Sequence, residues 1–434
     1  MSAPIRIEAP PPVTITRARE RALVLVVAAV QLVNVLEFMI VMPLGPDFAL
    51  ALGFPVDSVG VLGAAYTGAG AISGLIGALF LDRYDRRRVL IWSMAGLIFA
   101  TVLAGMSRGL GTLIAARVLA GTFGGPATAI SLAIVSDLVP PERRGRAMAI
   151  VMGAFSVAAI FGVPAALEAA GLAGWCAPFF AVAILAVLVV AFARDVLPPM
   201  SAHIATAASG PKGLTRLWGL VKRPEAALAL AVTGLSMVSM FAIVPNLSAY
   251  MQFNGGWPRE RLSLLYFLGG LASLSLMAMF GRVIDRLGAA PVVAISAVWV
   301  SITIAVGIVP GHPLVPVPLF FVLFMGGSSI RGVAVGALVS RVPPPHERAG
   351  YQSAQSATQH LACAIGALAS TGILHARPDG TLENMGGLGV YTIAVTLLVP
   401  LIALAVEQRV RARERERERA SVSVSASPPD PVAE

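Results

Sequence analysis

The sequence ALFLDRYD at residues 78–85 has a counterpart, GRVIDRLG, at residues 281–288. Each stretch follows a long apolar run and carries an Asp-Arg pair, and the two aspartates are 203 residues apart. A second pair of related stretches, VPPERRG at 139–145 and PPHERAG at 344–350, has its glutamates 205 residues apart. Two features with nearly the same offset predict that the chain consists of two repeated halves in parallel topology.

The composition is typical of a membrane protein. Of the 434 residues, 57% are hydrophobic and only 13% are charged, whereas a soluble domain carries about a quarter charged residues and less than half apolar ones. Lipid as the outer solvent explains this deficit of polar residues. The N-terminus is polar and rich in proline, and the first apolar run is too long for a signal peptide, so we expect that run to be a membrane span.

Twelve apolar runs come close to the roughly 20 residues that a helix needs to cross a bilayer. They predict an all-α integral membrane protein with twelve transmembrane helices in two six-helix pseudo-repeats. The predicted domains are an N-terminal tail (1–21), a first half (22–194), a linker (195–224), a second half (225–407) and a C-terminal tail (408–434). The predicted spans are 22–44, 59–81, 89–107, 109–136, 146–168, 176–194, 225–251, 261–284, 289–309, 315–340, 350–374 and 386–407.

Basic residues are distributed unevenly over the predicted loops. An even number of spans puts both termini on one side, and 26 of the 32 lysines and arginines fall there, against four on the other side. Because Lys and Arg accumulate in cytoplasmic loops, we expect both termini in the cytoplasm and the chain in the cytoplasmic (inner) membrane. The same bias explains the net charge of +9, so nucleic acid is not an expected partner.

Glu37 is the only acidic residue well inside a predicted span. An ionised carboxylate in hydrocarbon is costly, so such a residue usually faces a cavity and has a partner. With a rise of about 1.5 Å per residue, Arg117 in span four lies at nearly the same depth as Glu37 in span one. Two interpretations are open. Either Glu37 takes up a proton and releases Arg117, which we favour because intramembrane ionisable groups are usually functional, or a permanent pair joins two helices.

Other polar and aromatic residues in or near the spans are candidates for a substrate cavity. Arg331 and His360 lie at similar depth in spans ten and eleven. His360 is either a second proton site or a hydrogen-bonded core group, and we favour the core group; Arg331 contacts either an anionic substrate or its own bundle. Packing or lipid contact is the competing interpretation for the remaining candidates, which are Asn34, Phe38, Tyr66, Phe241, Asn246, Gln355 and Gln359.

No motif in the sequence indicates an enzyme. There is no Walker loop for ATP, no His/Cys/Asp cluster with metal-ligand spacing and no nucleophile elbow. The only two cysteines, Cys176 and Cys363, provide no disulfide framework. We therefore expect no cofactor and no metal, and a monomer whose partners are a small-molecule substrate, protons and the lipid bilayer.

The paired Asp-Arg loops resemble those of the major facilitator superfamily, whose loop after span two is written Gly-x-x-x-Asp-Arg-x-Gly-Arg-Arg. Asp82, Arg83, Arg86 and Arg87 match that pattern, and Asp85 stands at its second Gly. The resemblance implies a transporter that works by alternating access, with charge networks that hold one state closed; simple solvation of the loops is the competing interpretation. The residues implied for this gating network are Asp82, Arg83, Arg86, Asp137, Asp285 and Arg286.

Span four also resembles the family, because Arg117 is followed by Gly121 and Gly124. In the drug/proton antiporters of the family that arginine is linked to proton coupling. Span five departs from the antiporter pattern, since Val163 interrupts the expected Gly-Pro. The leading hypothesis is proton-coupled efflux of a drug, sugar or metabolite, with Glu37 as the proton carrier. Proton-coupled uptake, facilitated diffusion and a receptor without flux are the alternatives.

Overall fold

The computed structural model describes residues 17–80, 83–200, 219, 222–343 and 348–425, and most of these residues are helical. The helices before residue 200 are α1 (Arg17–Met39), α2 (Gly45–Leu52), α3 (Val59–Phe80), α4 (Arg86–Gly105), α5 (Leu110–Leu138), α6 (Pro141–Val157), α7 (Val163–Ala173) and α8 (Ala177–Val196). Those after residue 222 are α9 (Pro224–Ala249), α10 (Leu262–Leu287), α11 (Ala289–Gly307), α12 (Val317–Ser340), α13 (Arg348–Ile373) and α14 (Met385–Ser425). A short antiparallel hairpin, β1 (His375–Ala376) and β2 (Leu382–Glu383), precedes α14.

Apolar side chains cover the outside of the bundle as well as its interior. On α8, Ile184, Leu188 and Phe192 follow one another at four-residue spacing and are all exposed, while Ala186 and Val190 are buried. A helix that is apolar all round suits a lipid environment. Within the described ranges, eleven helical segments are long and apolar enough to cross a membrane. The chain is therefore a multi-pass membrane protein.

The predicted span 350–374 is helical but more polar than the others. It forms α13, which is not among the eleven apolar segments. This helix packs against α3 on one side and α9 on the other, so protein covers part of its polar surface in place of lipid. The prediction of twelve spans is confirmed for eleven of them, and the two-fold repeat stays a prediction.

The first predicted span is displaced at both ends. The helix α1 begins at Arg17 and ends at Met39 instead of covering 22–44. Pro43 has no amide hydrogen to donate to the carbonyl of Met39, so the helix cannot continue through it. The chain turns and begins again as α2, with Pro46 in the first turn, where a missing amide hydrogen costs nothing.

The chain has two wide, π-helical turns within the described residues. One such turn, Ala158–Gly162, joins α6 to α7, and another, Tyr250–Asn254, extends α9. Pro164 accounts for the first because it cannot donate to the carbonyl of Ile160, and the turn before it widens by one residue. Ile160 packs there against Gly270 of α10, where a Cβ atom would lie 3.0 Å from its side chain.

Two seams join the helices α1–α8 to the helices α9–α14. In the first seam α3 packs on α13, and Ala64, Ala364 and Ala367 form an apolar cluster. A Cβ atom on Gly60 would lie 2.6 Å from the carbonyl oxygen of Ala367, so glycine is needed for this close approach. In the second seam α7 and the π-helical turn before it pack on α10. We call the end of the bundle where α1 begins and α14 ends the terminal face, and the opposite end the distal face.

Candidate functional site

Glu37 and Arg117, which the sequence predicts at similar depth, form an ion pair between α1 and α5. Arg117 Nη1 donates to Glu37 Oε1 and also, at 3.2 Å, to the carbonyl oxygen of Glu37. Both side chains are 0% exposed. Removing two charges from water costs several kcal/mol for each ion. A buried pair is therefore weak evidence for stability and stronger evidence for a functional site.

Two glycines of α5 let α1 and α3 approach this pair. A Cβ atom on Gly121 would collide with the carbonyl oxygen of Tyr66 on α3. A Cβ atom on Gly124 would lie 2.5 Å from the Tyr66 hydroxyl and 2.8 Å from Asn34 Oδ1 on α1. The glycines that follow Arg117 in the sequence therefore create the space that the polar side chains of the site occupy.

Tyr66 and Asn34 extend the ion pair into a buried network. The guanidinium carbon of Arg117 lies 4.5 Å from the centre of the Tyr66 ring, which is cation–π distance. The Tyr66 hydroxyl donates to Asn34 Oδ1 at 3.0 Å. Asn34 Nδ2 in turn donates to the carbonyl oxygen of Gly124 at 2.9 Å and to the Thr128 hydroxyl. The network joins α1, α3 and α5 around one buried cation.

Three polar atoms of the ion pair have spare hydrogen-bonding capacity. No described protein group forms a hydrogen bond with Glu37 Oε2, Arg117 Nε or Arg117 Nη2. A buried polar atom without a partner costs free energy that a new partner would recover. The pair can therefore bind a proton at the carboxylate and an acceptor group at the guanidinium without first breaking other hydrogen bonds.

Phe38 connects this network to the second half of the chain. Its ring stacks on Tyr66 with 5.3 Å between centroids, and on Phe241 of α9 with 5.9 Å. Phe38 also packs on an apolar cluster of Met42, Phe241 and Cys363. Of the predicted cavity residues, Tyr66 thus contacts Arg117 directly, Asn34 and Phe38 contact Tyr66, and Phe241 contacts Phe38.

The other predicted cavity residues do not join this network through any described contact. Asn246 donates to the Ser370 hydroxyl at 3.1 Å and links α9 to α13. Arg331 is buried and donates to the Thr396 hydroxyl of α14 at 3.3 Å. The remaining three, Gln355, Gln359 and His360, are half-buried on α13, and the His360 ring lies beside Gly70 of α3.

The predicted gating residues that the structure describes lie at the terminal face and differ in their surroundings. Arg86 of α4 forms an ion pair with Asp137 of α5 and donates to the Ala133 carbonyl oxygen at 3.0 Å. Asp82 lies outside the described residues, and Arg83 is exposed. Asp285 and Arg286, the counterparts in the second half, are also exposed.

Two further acidic residues at the terminal face fix helix starts. Asp85 accepts from the backbone N–H groups of Arg88, at 2.9 Å, and Met200, at 2.5 Å. Glu407, which the sequence places only at a span end, accepts from the backbone N–H of Ala290 at 2.9 Å and pairs with Arg411. These carboxylates accept from amide groups at the first turns of α4 and α11, which have no partner within their own helix.

The distal face holds contacts between the two halves that the sequence does not reveal. The polar contacts there are Asp47 with Arg259, Ser263 with Glu168, Ser248 with the Pro43 carbonyl, and Asp57 with the Ala376 backbone N–H. Each pair joins residues more than 90 positions apart, and no pattern in the sequence links them. In the described part of the chain, no group of three or more His, Cys, Asp or Glu side chains could hold a metal ion.

Several known proteins with similar sequence or structure are named as transporters or efflux pumps. The sequence profile described as Major Facilitator Superfamily matches residues 27–367 and 229–428. The chain is 28% identical over 386 residues to the chloramphenicol resistance protein of Streptomyces lividans, which covers 87% of this chain and 94% of that protein. It is 25% identical over 286 residues to the purine ribonucleoside efflux pump NepI of Shigella sonnei, covering 64% of this chain and 69% of the pump.

A solved structure agrees with the fold. The crystal structure of a D-xylose-proton symporter superposes with a TM-score of 0.72 over 88% of this chain and 97% of the symporter, at 15% sequence identity. At that identity the likeness concerns the fold alone.

Proposed function

We propose that this chain, which belongs to the Major Facilitator Superfamily, exports a small molecule in exchange for protons. Family membership and the apolar helices make the chain a membrane transporter rather than an enzyme. The proposal adds the direction, the coupling ion and the residues that couple the two fluxes. It is an export reaction by alternating access in the cytoplasmic membrane, carried out by a monomer with both termini in the cytoplasm.

The observation that carries the proposal is the buried pair of Glu37 and Arg117. When Glu37 takes up a proton, its negative charge disappears and Arg117 becomes a buried cation without a counter-ion. An uncompensated buried charge is strongly unfavourable, so protonation raises the free energy of the present arrangement. A conformation in which Arg117 reaches water or a substrate acceptor is then favoured, and the proton shifts the balance between the two states.

The contacts at the distal face support a place for this state in the proposed transport cycle. The ion pair of Asp47 and Arg259 joins the halves there, and in the proposed cycle the cavity between the halves opens toward the terminal face in this state. With the termini in the cytoplasm, this is the state that takes up substrate from the cytoplasm. The gating network of Arg86 with Asp137, together with Asp82, Arg83, Asp285 and Arg286, would rearrange when the terminal face closes.

The names of the relatives support export over uptake. A chloramphenicol resistance protein, a probable sugar efflux transporter and a purine ribonucleoside efflux pump are all similar to this chain. The Tyr66 ring lies against the guanidinium of Arg117, Phe38 stacks on Tyr66, and Phe241 stacks on Phe38. This arrangement suits a substrate with a flat or apolar part and a hydrogen-bond acceptor.

Flux measurements in proteoliposomes test the proposal. Inside-out reconstituted protein is given chloramphenicol, a purine ribonucleoside and a panel of sugars, each with and without an imposed pH gradient. We expect at least one solute to accumulate only when the gradient is imposed, and Glu37→Gln to abolish that dependence. Glu260→Gln, at an exposed position on the distal face, is the matched control and should retain it.

Each alternative predicts a different result. Facilitated diffusion predicts flux that follows the solute gradient and ignores pH. Proton-coupled uptake predicts movement of solute in the same direction as the protons. A receptor without flux predicts binding of a solute with no movement under any gradient, although the protein remains folded.

A further inference from the structure

A second charged site lies in a groove between α1 and α6 at the terminal face. The groove has a volume of about 440 Å³, and its lining includes the side chains of Arg17, Arg21, Arg143, Arg146 and Glu20. None of these residues belongs to the Glu37–Arg117 network or to the predicted gating network. The proposed transport function does not use these groove residues, and a role for the groove does not depend on that function.

The four arginine side chains line the same groove because of their spacing on the two helices. Arg17 and Arg21 are four residues apart on α1, and Arg143 and Arg146 are three residues apart on α6. Side chains at these spacings lie on one face of a helix. Because α1 and α6 pack on each other, the two arginine pairs converge on the groove from opposite walls.

Glu20 holds one of the four arginines in place. Arg143 donates from Nε to Glu20 Oε1 at 3.0 Å and from Nη2 to Glu20 Oε2 at 2.6 Å. This bidentate pairing is the strongest geometry for an arginine and a carboxylate. Glu20 is the only acidic residue among the described residues that line the groove. The remaining lining charges are therefore all positive, and they repel one another unless an anion lies between them.

We propose that this groove binds a phosphate group. The planar guanidinium fork matches phosphate oxygens as well as carboxylate oxygens, and Arg17, Arg21 and Arg146 can contribute donors while Glu20 keeps Arg143 fixed. Beyond the charged rim, the lining includes the exposed apolar side chains of Leu25 and Ile150. The phosphate can belong to the headgroup of an anionic phospholipid, whose acyl chain would cover these two residues, or to a free phosphate in solution.

The two sources are separated by binding measurements on the purified full-length chain. Native mass spectrometry counts bound lipid during titration with dioleoyl phosphatidylglycerol, and dioleoyl phosphatidylcholine serves as the lipid without net charge. Equilibrium dialysis measures binding of inorganic phosphate. The test variant combines Arg17→Gln, Arg21→Gln and Arg146→Gln. The matched control combines Arg282→Gln, Arg409→Gln and Arg415→Gln, three exposed arginines near the terminal face of the second half.

The groove variant should bind its phosphate ligand at least about tenfold more weakly, because each basic residue near an anionic headgroup contributes roughly a fivefold attraction. The control variant should bind as the unmodified chain does. If the groove variant loses only the binding of phosphatidylglycerol, the site is assigned to a lipid headgroup. If it loses only the binding of inorganic phosphate, the site is assigned to a soluble anion. Equal losses in both variants, or unchanged binding in the groove variant, would overturn the proposal.

A single substitution gives a second test that does not depend on the triple variant. Glu20→Gln removes the charge of the only described acidic residue of the groove and weakens its pairing with Arg143. We expect tighter binding of phosphatidylglycerol or of inorganic phosphate to this variant. Weaker binding would contradict the charge argument on which the site rests.

Discussion

Arg259 donates from Nε to both carboxylate oxygens of Asp47, at 2.9 and 3.0 Å, and so ties the second half of the chain to the first at the distal face. Its Nη2 also donates to the carbonyl oxygen of Leu167 in the middle of α7, at 3.2 Å. Both side chains of the pair are largely shielded from water. If transport requires the distal face to open, this ion pair must break in every cycle.

Removal of the charge on Asp47 should therefore shift the protein toward a state that is open at the distal face. We expect Asp47→Asn to lengthen the distance between spin labels at Leu50 and Leu314, two exposed positions on opposite halves of that face. Double electron–electron resonance measures this distance in a protein in which Cys176 and Cys363 have been replaced. The reversed pair, Asp47→Arg with Arg259→Asp, should restore the shorter one.

The ion pair between Arg377 and Glu383 provides the control for this experiment. It is also at the distal face but lies within the hairpin of the second half. Glu383→Gln should leave the label distance unchanged. If Asp47→Asn and Glu383→Gln have the same effect, the Asp47–Arg259 pair does not act as a latch between the halves.

The glycine at position 121 should be intolerant of even a methyl group. A Cβ atom there would collide with the carbonyl oxygen of Tyr66, and backbone cannot move aside as a flexible side chain can. Overpacking of this kind costs about 1–3 kcal/mol, so Gly121→Ala should lower the midpoint of thermal unfolding. Gly74→Ala is the control, because nothing lies within 4 Å of its new Cβ atom. Equal midpoints for the two variants would show that α3 and α5 do not pack as described.

The ring of Tyr66 should matter more than its hydroxyl. Tyr66→Phe removes the hydrogen bond to Asn34 but keeps an aromatic face over Arg117, whereas Tyr66→Leu removes both. A desolvated cation–π contact contributes about 2 kcal/mol. In unfolding experiments in detergent, we therefore expect the free energy of unfolding to be highest for the unmodified protein, lower for Tyr66→Phe and lowest for Tyr66→Leu. A leucine variant as stable as the phenylalanine variant would exclude a significant cation–π contribution.

The Arg86–Asp137 pair should influence the rate of transport rather than the affinity for substrate. It lies at the terminal face between α4 and α5, far along α5 from Arg117. Asp137→Asn should lower the turnover number and leave the Michaelis constant nearly unchanged, since the substitution alters a conformational step and no substrate contact. Initial rates over a range of substrate concentrations separate the two quantities. A large rise in the Michaelis constant at unchanged turnover would argue against a gating role.

Helix periodicity and cost of burial allowed the central pair to be predicted. Glu37 stands out because an isolated carboxylate in a membrane span is expensive, and equal depth in two spans singled out Arg117 as its partner. The grouping of Asn34, Phe38 and Tyr66 around that pair depends on helix rotation, which depth alone does not determine. The sequence could predict these residues as candidates for a substrate cavity, but it could not predict their contacts.

Interactions at the ends of helices could not be predicted from the sequence. Asp47 and Arg259 meet because two loops fold over the same face, and residue spacing does not encode that meeting. Glu407 lies at a span end by its hydropathy, yet it is buried and caps α11. The duplicated Asp-Arg loops suggested equivalent roles in both halves, and Arg83, Asp285 and Arg286 are all exposed in this state. Which charges pair in a given state depends on how the halves are oriented.

Proton release on substrate binding tests the role of Glu37 most directly. Substrate is added to the detergent-solubilised protein in weakly buffered solution with a pH indicator, near the pH at which release is largest. If substrate and proton compete at the pair, the unmodified protein should release protons as the substrate binds. Glu37→Gln should bind the substrate with no release, and Glu260→Gln should release as much as the unmodified protein. Undiminished release from Glu37→Gln would contradict the assignment of Glu37 as the proton carrier.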